Sequence, residues 1–367
     1  MPPLAATSVA PPETAAPRRD GLAARGALAA VCAVLGVALL ASIVVAVGLG
    51  PAAIPPGETA RYLWAALTGG RIQAGEATTY QIIWQIRAPR VLLAAVVGAG
   101  LSAIGVAIQA LVRNALADPF ILGISSGASV GAVGVSVTGG LAALGIHAVS
   151  AGAFAGALLA SLLVYAASSS RGSLSPLRLV LTGVAMSLGF QAVMSLIIYL
   201  APDAEATSMI LYWTMGGFGA ATWGALPVVC VAVLLGLVVL YRRGRTLDVL
   251  ALGDETAASL GIRPDRQRKV MLVAISLVTG VMVAVSGAIG FVGLVMPHLV
   301  RMVTGAAHAR VLVVAPLAGA VFMVWVDLLS RTLVAPRELP LGVITALVGV
   351  PVFLAMMRRR SHLFGGR

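Results

Sequence analysis

Charged residues are scarce in this sequence, and the scarcity excludes several classes of protein. Asp, Glu, Lys and Arg make up 10% of its 367 residues, against about 25% in an ordinary soluble domain. Hydrophobic residues make up 59%, and a soluble fold of this length could not keep so many of them from water. The composition therefore excludes a soluble enzyme, a DNA-binding factor and a disordered protein. The apolar runs are long and unbroken, whereas a membrane β-barrel needs alternating segments of about ten residues. We predict an all-α polytopic membrane protein.

Cysteine, lysine and catalytic motifs are also scarce. The two cysteines, Cys32 and Cys230, lie far apart in separate apolar runs, which disfavours a disulfide framework or a zinc site. A phosphate-binding P-loop needs Lys directly after Gly, but the single lysine, Lys269, follows an arginine. The four histidines are scattered, with no His-Glu-x-x-His motif, and the Gly-x-Ser-x-Gly patterns at 123–127 and 127–131 lie within a predicted membrane span. We expect no catalytic residue, no metal ligand and no bound cofactor in this chain.

The cations of this sequence indicate its membrane topology. The net charge is +12, but the basic residues lie dispersed at the ends of apolar runs and form no stripe that would bind nucleic acid. A membrane-spanning helix needs about 20 mostly apolar residues, or fewer where it is short or shielded by protein. We predict ten spans, near residues 27–49, 89–112, 119–138, 147–168, 177–200, 225–241, 268–288, 290–304, 311–334 and 340–357.

The distribution of Lys and Arg between the connections tests this count. If the N-terminus is cytoplasmic, six of the 25 cations lie outside, at Arg61, Arg71, Arg87, Arg90, Arg331 and Arg337, and the other 19 lie inside. Because Lys and Arg concentrate on the cytoplasmic side, this split predicts that both termini are cytoplasmic. The first apolar run is too long for a signal peptide and is typical of a signal anchor. Residues 1–26 then form a disordered cytoplasmic tail, 27–360 the membrane domain and 361–367 a C-terminal tail.

The longest cytoplasmic connection, residues 242–267, is predicted to hold two short helices hinged at Gly253. Asp254 is a plausible N-cap, Glu255 lies near the positive helix end, and Gly261 is a plausible stop. Five apolar residues could form one face: Leu247, Leu250, Leu252, Ala257 and Leu260. This face would either dock on a partner or pack on its own domain, and the sequence by itself leaves both open.

Two outer connections and several residues within spans are further candidates. Residues 50–88 and 201–224 form the long outer connections, and the aromatic residues of the second suit either the membrane interface or a short helix at the mouth of a pathway. Gly123, Gly127 and Gly131 permit close helix packing. The neighbouring residues Ser125 and Ser126 would then either belong to this packing or line the pathway. In addition, Asp118-Pro119 resembles a helix start. Asp327 lies one turn from Arg331, and we predict a structural ion pair between the two.

Five stretches, taken together, resemble the permease subunits of type II ABC importers, which take up iron-siderophores, haem and vitamin B12. The resemblance extends from about residue 27 to 360, and its order and spacing are specific. Its motifs are WQIRAPR at 84–90, QALVRNALADPFILGISSG at 109–127, LGDETAASLG at 252–261, GFVGLVMPHLVR at 290–301 and ELPLGVIT at 338–345.

This resemblance implies an assembly and a set of roles. It implies a homodimer in the cytoplasmic (inner) membrane of a bacterium, two cytoplasmic ATPase subunits that bind ATP-Mg, and an extracytoplasmic substrate-binding protein. Spans 2–5 and 7–10 would form an inverted repeat. Residues 247–261 would be coupling helices that dock on the ATPase. Arg87 and Arg331 would be exposed and would meet acidic residues of the binding protein. Asn114 and Leu116 would narrow the cytoplasmic exit, although the family usually has Asn-Pro where this chain has Asn114-Ala115.

The cargo that the resemblance favours is a ferric siderophore, with haem or vitamin B12 as the alternative. The run YWTMGGFG at 212–219 is close to the vitamin B12 pattern, but residues 207–209 are Thr-Ser-Met where haem and B12 permeases carry an arginine. A proton-driven secondary transporter would predict several membrane carboxylates, and the spans contain one clear case, Asp327. An intramembrane enzyme would need a convergent nucleophile or metal set, which the sequence lacks.

Overall fold

The computed structural model describes residues 19–51, 54–170, 173–201 and 204–359, and these are mainly helical. The helices are α1 Arg19–Gly48, α2 Pro56–Thr68, α3 Ala77–Gln81, α4 Ala88–Leu111, α5 Ile124–Thr138, α6 Ala148–Ser168, α7 Pro176–Tyr199, α8 Ala204–Thr214, α9 Leu226–Arg242, α10 Gly244–Ala251, α11 Asp254–Ser259, α12 Pro264–Ser286, α13 Val292–Thr304, α14 His308–Thr332 and α15 Leu341–Arg359. Two short strands, β1 Ser169–Ser170 and β2 Ser173–Leu174, pair antiparallel between α6 and α7.

The apolar helices correspond to the ten predicted spans. Six helical segments are long and apolar enough to cross a membrane, and α9 makes a seventh only if it is counted together with α10, which continues the chain after a bend of 59°. Three shorter apolar helices, α5, α13 and α15 up to Met356, complete the ten. α1 begins at Arg19, before its candidate membrane span of Gly26–Gly48, so the helix also covers part of the segment predicted to be disordered. The remainder of that tail (1–18) and the C-terminal tail lie outside the described residues.

The outer connection 50–88 contains more helix than its Pro and Gly content indicated. After α2, a 3-10 turn, α3 and a π-helical turn over Ile82–Arg87 lead without a break into α4. Pro89 has no N–H group, so it cannot donate to the carbonyl of Trp84 five residues earlier. Trp223 Nε1 donates to that carbonyl at 2.7 Å, and the two indole rings pack 4.5 Å apart. This contact joins the start of α4 to the second outer connection.

The core of the bundle surrounds α4, which is buried along most of its length. α4 packs along α14, and α12 packs in the same way along α6. Each pair takes one helix from spans 2–5 and one from spans 7–10, as expected if the two sets of spans form an inverted repeat. Glycines permit the closest approaches: a Cβ atom on Gly98 would lie 2.3 Å from the carbonyl oxygen of Gly319, and one on Gly105 only 1.9 Å from that of Gly293. Small residues at such crossings allow helices to pack closely where lipid surrounds them.

The predicted close packing of the glycine-rich span is confirmed. A Cβ atom on Gly127 would lie 2.7 Å from the carbonyl oxygen of Gly156, and one on Gly131 would lie 2.1 Å from that of Gly152. These contacts fix α5 against α6. The span begins as predicted at Asp118, whose side chain accepts a hydrogen bond from the Phe120 N–H at 3.0 Å, with Pro119 as the first residue of a 3-10 turn.

Candidate functional site

A cluster of buried charges joins α4 and α14 at the end of the bundle that is predicted to face outside. Asp327 of α14 is fully buried and accepts from Arg90 Nε of α4 at 2.7 Å and from Arg331 Nε at 3.0 Å. The predicted pair between Asp327 and Arg331 is therefore confirmed. The second partner, Arg90, is a residue that the sequence did not single out. Two guanidinium groups on one carboxylate compensate the cost of burying these charges.

Glu338 extends this cluster to α15 and α8. Arg90 donates to both of its carboxylate oxygens, at 2.7 Å from Nη1 and 3.0 Å from Nη2, which is the strong bidentate geometry. The hydroxyl of Tyr212, in α8, lies 3.5 Å from the same carboxylate. The first N–H groups of α15, at Leu341 and Gly342, donate to the carbonyls of the turn that follows α8. Arg90 therefore connects α4, α14, α15 and the region of α8.

The two arginines predicted to dock a binding protein are buried in this structure. Arg87 is 4% exposed and donates to the carbonyls of Val47 and Gly48, and Arg331 is 3% exposed and donates to those of Ala46 and Leu49. The last carbonyls of a helix have no partner within the helix, and cations are favourable there. Both arginines thus cap the C-terminus of α1, and the expectation that they are exposed is wrong. Their docking role stays a prediction.

The second outer connection forms the short helix α8 and a turn of mixed exposure. Tyr212 is 45% exposed, whereas Phe218 is completely buried in the main core. The prediction that the aromatic residues of this connection lie at the membrane interface is therefore wrong for Phe218. A cavity of about 560 Å³ lies beside α8, and its lining includes Ser208, Tyr212 and Ser286.

The connection 242–267, which we call the coupling loop, has the predicted form of two helices with a hinge. Gly253 lies between α10 and α11 with a φ of 118°, a conformation that favours glycine, and Gly261 follows α11 with a φ of 78°. The predicted apolar face is divided. Leu247, Leu250 and Ala257 are buried against the membrane domain, while Leu252 is 68% and Leu260 60% exposed. Three of the five residues thus pack on their own domain, and only the two leucines remain free to contact a partner.

Asp254 attaches the coupling loop to the membrane domain. It occupies the first position of α11 and makes no cap hydrogen bond, so its predicted N-cap role is wrong. Its carboxylate accepts from both Nη1 (2.9 Å) and Nη2 of Arg268, a buried residue of α12. This guanidinium lowers the pKa of the Asp254 carboxyl. Glu255 is exposed on the same helix.

A second carboxylate, which sequence reasoning missed, attaches α10. Asp248 accepts from the backbone N–H of His308 at 2.9 Å, at the first residue of α14, and its carboxylate lies 2.6 Å from the Nδ1 atom of that imidazole. The coupling loop is therefore held by one carboxylate at α14 and by another at α12. No local sequence signal pairs Asp248 with a residue 60 positions later, since the contact depends on the chain returning after two further spans.

The predicted gate residues lie in the turn after α4, next to the coupling loop. Asn114 and Leu116 are both exposed, and the Asn114 side chain accepts from the Leu116 N–H at 2.9 Å. The preceding residue, Arg113, lies 3.9 Å from the carboxylate of Asp254. The structure therefore brings the turn and α11 together. The gating role of the two residues stays a prediction.

The two serines proposed to line a pathway differ in exposure. Ser125 is buried, and its hydroxyl has no hydrogen-bond partner among the described residues. Ser126 is half-buried. Their role in lining a pathway stays a prediction.

The described chain is thus a polytopic helical bundle with an attached loop that exposes two leucines. Comparison with known proteins identifies its family. Residues 38–359 match the model of the FecCD transport family, and the chain belongs to this family. It is therefore a multi-pass membrane permease subunit of the ABC transporter class, and the family's permeases are not themselves catalytic.

Three known proteins illustrate this relationship. The hemin transport system permease protein HmuU of Yersinia pestis is 41% identical over 289 residues, covering 77% of this chain and 85% of that protein. The cobalamin import system permease protein BtuC of Halobacterium salinarum is 38% identical over 302 residues, covering 81% of this chain and 80% of that protein. A solved structure described as an inward-facing metal-chelate type ABC transporter has a TM-score of 0.77 and 31% identity, covering 90% of this chain and 99% of that one.

Proposed function

We propose that this chain is the translocating subunit of a type II ABC importer that moves a metal chelate across the cytoplasmic membrane of a bacterium. Two copies would enclose the pathway, two ATPase subunits would bind ATP-Mg on the cytoplasmic side, and a substrate-binding protein would deliver the chelate from outside. The observation that carries the proposal is the coupling loop. Its exposed leucines face away from the membrane domain, while its carboxylates connect it to α12, α14 and the turn after α4.

This geometry supports a mechanism of alternating access. Closure of the ATPase subunits on ATP would displace Leu252 and Leu260 together with α10 and α11. The ion pair between Asp254 and Arg268 would transmit the displacement to α12, and Arg113 would transmit it to the turn that carries Asn114. The exit would then open on one side while the outer charge cluster holds α1, α4, α14 and α15 as one unit.

The dimer is supported by the exposure of α7. Only 6% of the most apolar 18-residue stretch of this helix is buried within the subunit. The exposed side chains of this helix include polar ones, such as Gln191 and Ser195, as well as leucines. Polar groups on a membrane helix favour contact with protein or with a water-filled pathway over contact with lipid. α7 is therefore the helix that we place along the pathway.

The cargo that we propose is a ferric siderophore. The two relatives named above have names that refer to hemin and cobalamin, at 41% and 38% identity, so overall similarity does not select one cargo, and both stay alternatives. Among the described residues that line the cavity beside α8, Tyr212 is the only titratable one. A lining without cations suits a bulky chelate whose carboxylates need no ionic partner during passage.

A proton-driven transporter is the less favoured class. It needs a membrane carboxylate that can take up and release a proton. Asp327 is bound by two arginines and is inaccessible to water, so it is poorly placed to carry protons.

The test is substrate binding followed by transport. The cognate binding protein is titrated with ferric siderophores, haem and cobalamin, and the assembled complex is then assayed in liposomes for ATP-dependent uptake of the ligand that binds. We expect tight binding of a ferric siderophore and uptake that requires ATP. Binding of haem or cobalamin instead would replace the cargo but keep the importer. Uptake driven by a proton gradient without ATP would refute the ABC importer proposal.

A further inference from the structure

A groove between α6 and α12 opens to the surface near the ends of both helices that are predicted to be cytoplasmic. It encloses about 380 Å³. Its lining is apolar except at two serines, a tyrosine and a lysine, and consists of Leu158, Ser161, Leu162, Tyr165, Lys269, Leu272, Val273, Ser276 and Leu277. Leu162 and Val273 are more than half exposed, and the buried hydroxyl of Ser276 has no hydrogen-bond partner among the described residues. The groove is thus an apolar channel that no described part of the chain covers.

One end of the groove is cationic. Lys269, the only lysine of the chain, lines both this groove and an adjoining cavity of about 690 Å³, which Arg263 and Arg266 also line. Its ammonium group lies 5.8 Å from the centre of the Tyr165 ring. Among the described residues that line this cavity, Asp265 is the one carboxylate, and it accepts from the Leu174 N–H at 2.9 Å. Three cations and one carboxylate therefore line the cavity that adjoins the groove, which gives it a net positive charge.

The depth of the groove matches one leaflet of a bilayer. Leu277 lies eight positions after Lys269 on α12, which corresponds to about 12 Å along the helix. Half of the hydrocarbon core of a bilayer measures about 15 Å. With the cytoplasmic orientation predicted above, the cations lie at the level of the inner headgroups and the groove extends into the acyl region below them.

We infer that this groove is a binding site for an anionic phospholipid of the inner leaflet. Lys269, Arg263 and Arg266 would bind its phosphate, and an acyl chain would lie between α6 and α12. Basic pockets between membrane helices on the cytoplasmic side are a known form of anionic headgroup site, and here the charge is continuous with an apolar channel of matching depth. The inference goes beyond the transport function and depends only on the predicted orientation.

The test measures lipid retained by the full-length permease. The protein is reconstituted in phosphatidylcholine nanodiscs with a minor fraction of phosphatidylglycerol, extracted in mild detergent, and its bound lipids are quantified by mass spectrometry. The charge variant is Arg263→Gln/Arg266→Gln/Lys269→Gln, and its matched control is Arg178→Gln/Arg245→Gln/Arg310→Gln, which removes three exposed cations from the same side. A cation within reach of the bound phosphate should contribute about fivefold, the increment for one Lys or Arg at an anionic lipid surface, whereas the three control cations line neither the groove nor the adjoining cavity. We expect the charge variant to retain at least about tenfold less phosphatidylglycerol than the wild type, and the control to stay within about twofold.

A second pair of variants separates a lipid from a free phosphate group. Val273→Trp fills the groove, and Leu235→Trp places the same side chain at an equally exposed position on α9. Lipid retention should fall for Val273→Trp only, and soluble glycerol phosphate should not compete with phosphatidylglycerol for the wild type. Equal losses in both charge triples, no loss with Val273→Trp, or full competition by glycerol phosphate would each overturn the inference. None of these results depends on transport, so the importer proposal is tested separately.

Discussion

At the scale of single residues, the end of the bundle that is predicted to face outside depends on compensated charge. Asp327 has no exposed side-chain surface, and its two carboxylate oxygens each accept from a different arginine. The Nη1 and Nη2 groups of Arg331 donate to backbone carbonyls at the end of α1. An ion pair of this kind adds little net stability compared with apolar residues of equal volume, but the loss of one partner leaves an uncompensated buried charge.

This predicts that Asp327→Asn is severely destabilising. The amide has nearly the same shape but leaves Arg90 and Arg331 without their shared carboxylate, which costs about 3–5 kcal/mol in the free energy of unfolding. The measurement is thermal unfolding of the detergent-solubilised protein. Glu338→Gln is the control, because that side chain is 32% exposed and water can compensate its loss. Equal melting temperatures for the two variants would contradict the central role of Asp327.

The residues of the coupling loop show what one sequence cannot resolve at this scale. The two acidic neighbours Asp254 and Glu255 look equivalent in sequence, yet one is bound to Arg268 and the other is exposed. Arg268 was counted only as one more cytoplasmic cation. Its two binding partners in this structure, the Asp254 carboxylate and the Leu174 carbonyl, lie 14 and 94 positions away, and no periodicity reports such contacts.

At the scale of elements, the coupling loop is attached to the membrane domain at two points. α10 is attached to α14 through Asp248, and α11 is attached to α12 through Asp254. Between them, Gly253 provides a backbone conformation that other residues adopt only with strain. Because both attachments are charged and directional, the proposed displacement of α10 and α11 would reach two different helices.

We predict that Asp254→Asn uncouples ATP hydrolysis from transport in the assembled complex. The variant removes the ionic link to Arg268 but keeps Leu252 and Leu260 available to the ATPase, so hydrolysis should persist while transport per ATP falls several-fold. Glu255→Gln, one residue away and exposed, is the matched control and should stay near wild type. The readout is the ratio of uptake to hydrolysis in liposomes.

A double variant makes this prediction sharper. If the ion pair is the transmitting contact, Asp254→Asn combined with Arg268→Gln should be no worse than Arg268→Gln alone, since contacting residues show non-additive effects. Because Arg268 lowers the pKa of Asp254, the link should also persist as the pH falls through the ordinary range of a carboxyl and be lost only below it. Additive losses in the double variant would show that Asp254 acts elsewhere, for example directly on the ATPase.

At the scale of the whole molecule, the fold is a bundle with α4 at its centre. Glycines permit its closest helix contacts, and α4 packs along α14 as α12 packs along α6. α2 and α11 lie in connections separated by five apolar spans, those of α4, α5, α6, α7 and α9. An odd number of spans places two connections on opposite sides of a membrane. The charge bias assigns α11 to the cytoplasmic side and α2 to the outside.

This topology predicts opposite labelling of two cysteines. In a Cys32→Ala/Cys230→Ala background, Leu252→Cys on the coupling loop and Trp64→Cys on α2 introduce single thiols at positions that are 68% and 69% exposed. A membrane-impermeant maleimide should label Leu252→Cys only in inside-out vesicles and Trp64→Cys only in right-side-out vesicles. Labelling of both from one side would refute the ten-span arrangement and remove the basis of the inner-leaflet lipid site.

The sequence by itself determined the membrane class, the ten apolar helices, the hinge at Gly253 and the close packing at Gly127 and Gly131, because composition, run length and small-residue spacing are local properties. Only the tertiary structure decided which charges are buried. Arg90 and Asp327 are separated by 237 positions, and Arg87 and Arg331 reach the end of α1 only because four helices converge there. The division of the coupling-loop leucines into buried and exposed sets also required the structure, since helices of six and eight residues are too short for their periodicity to indicate which side meets the membrane domain.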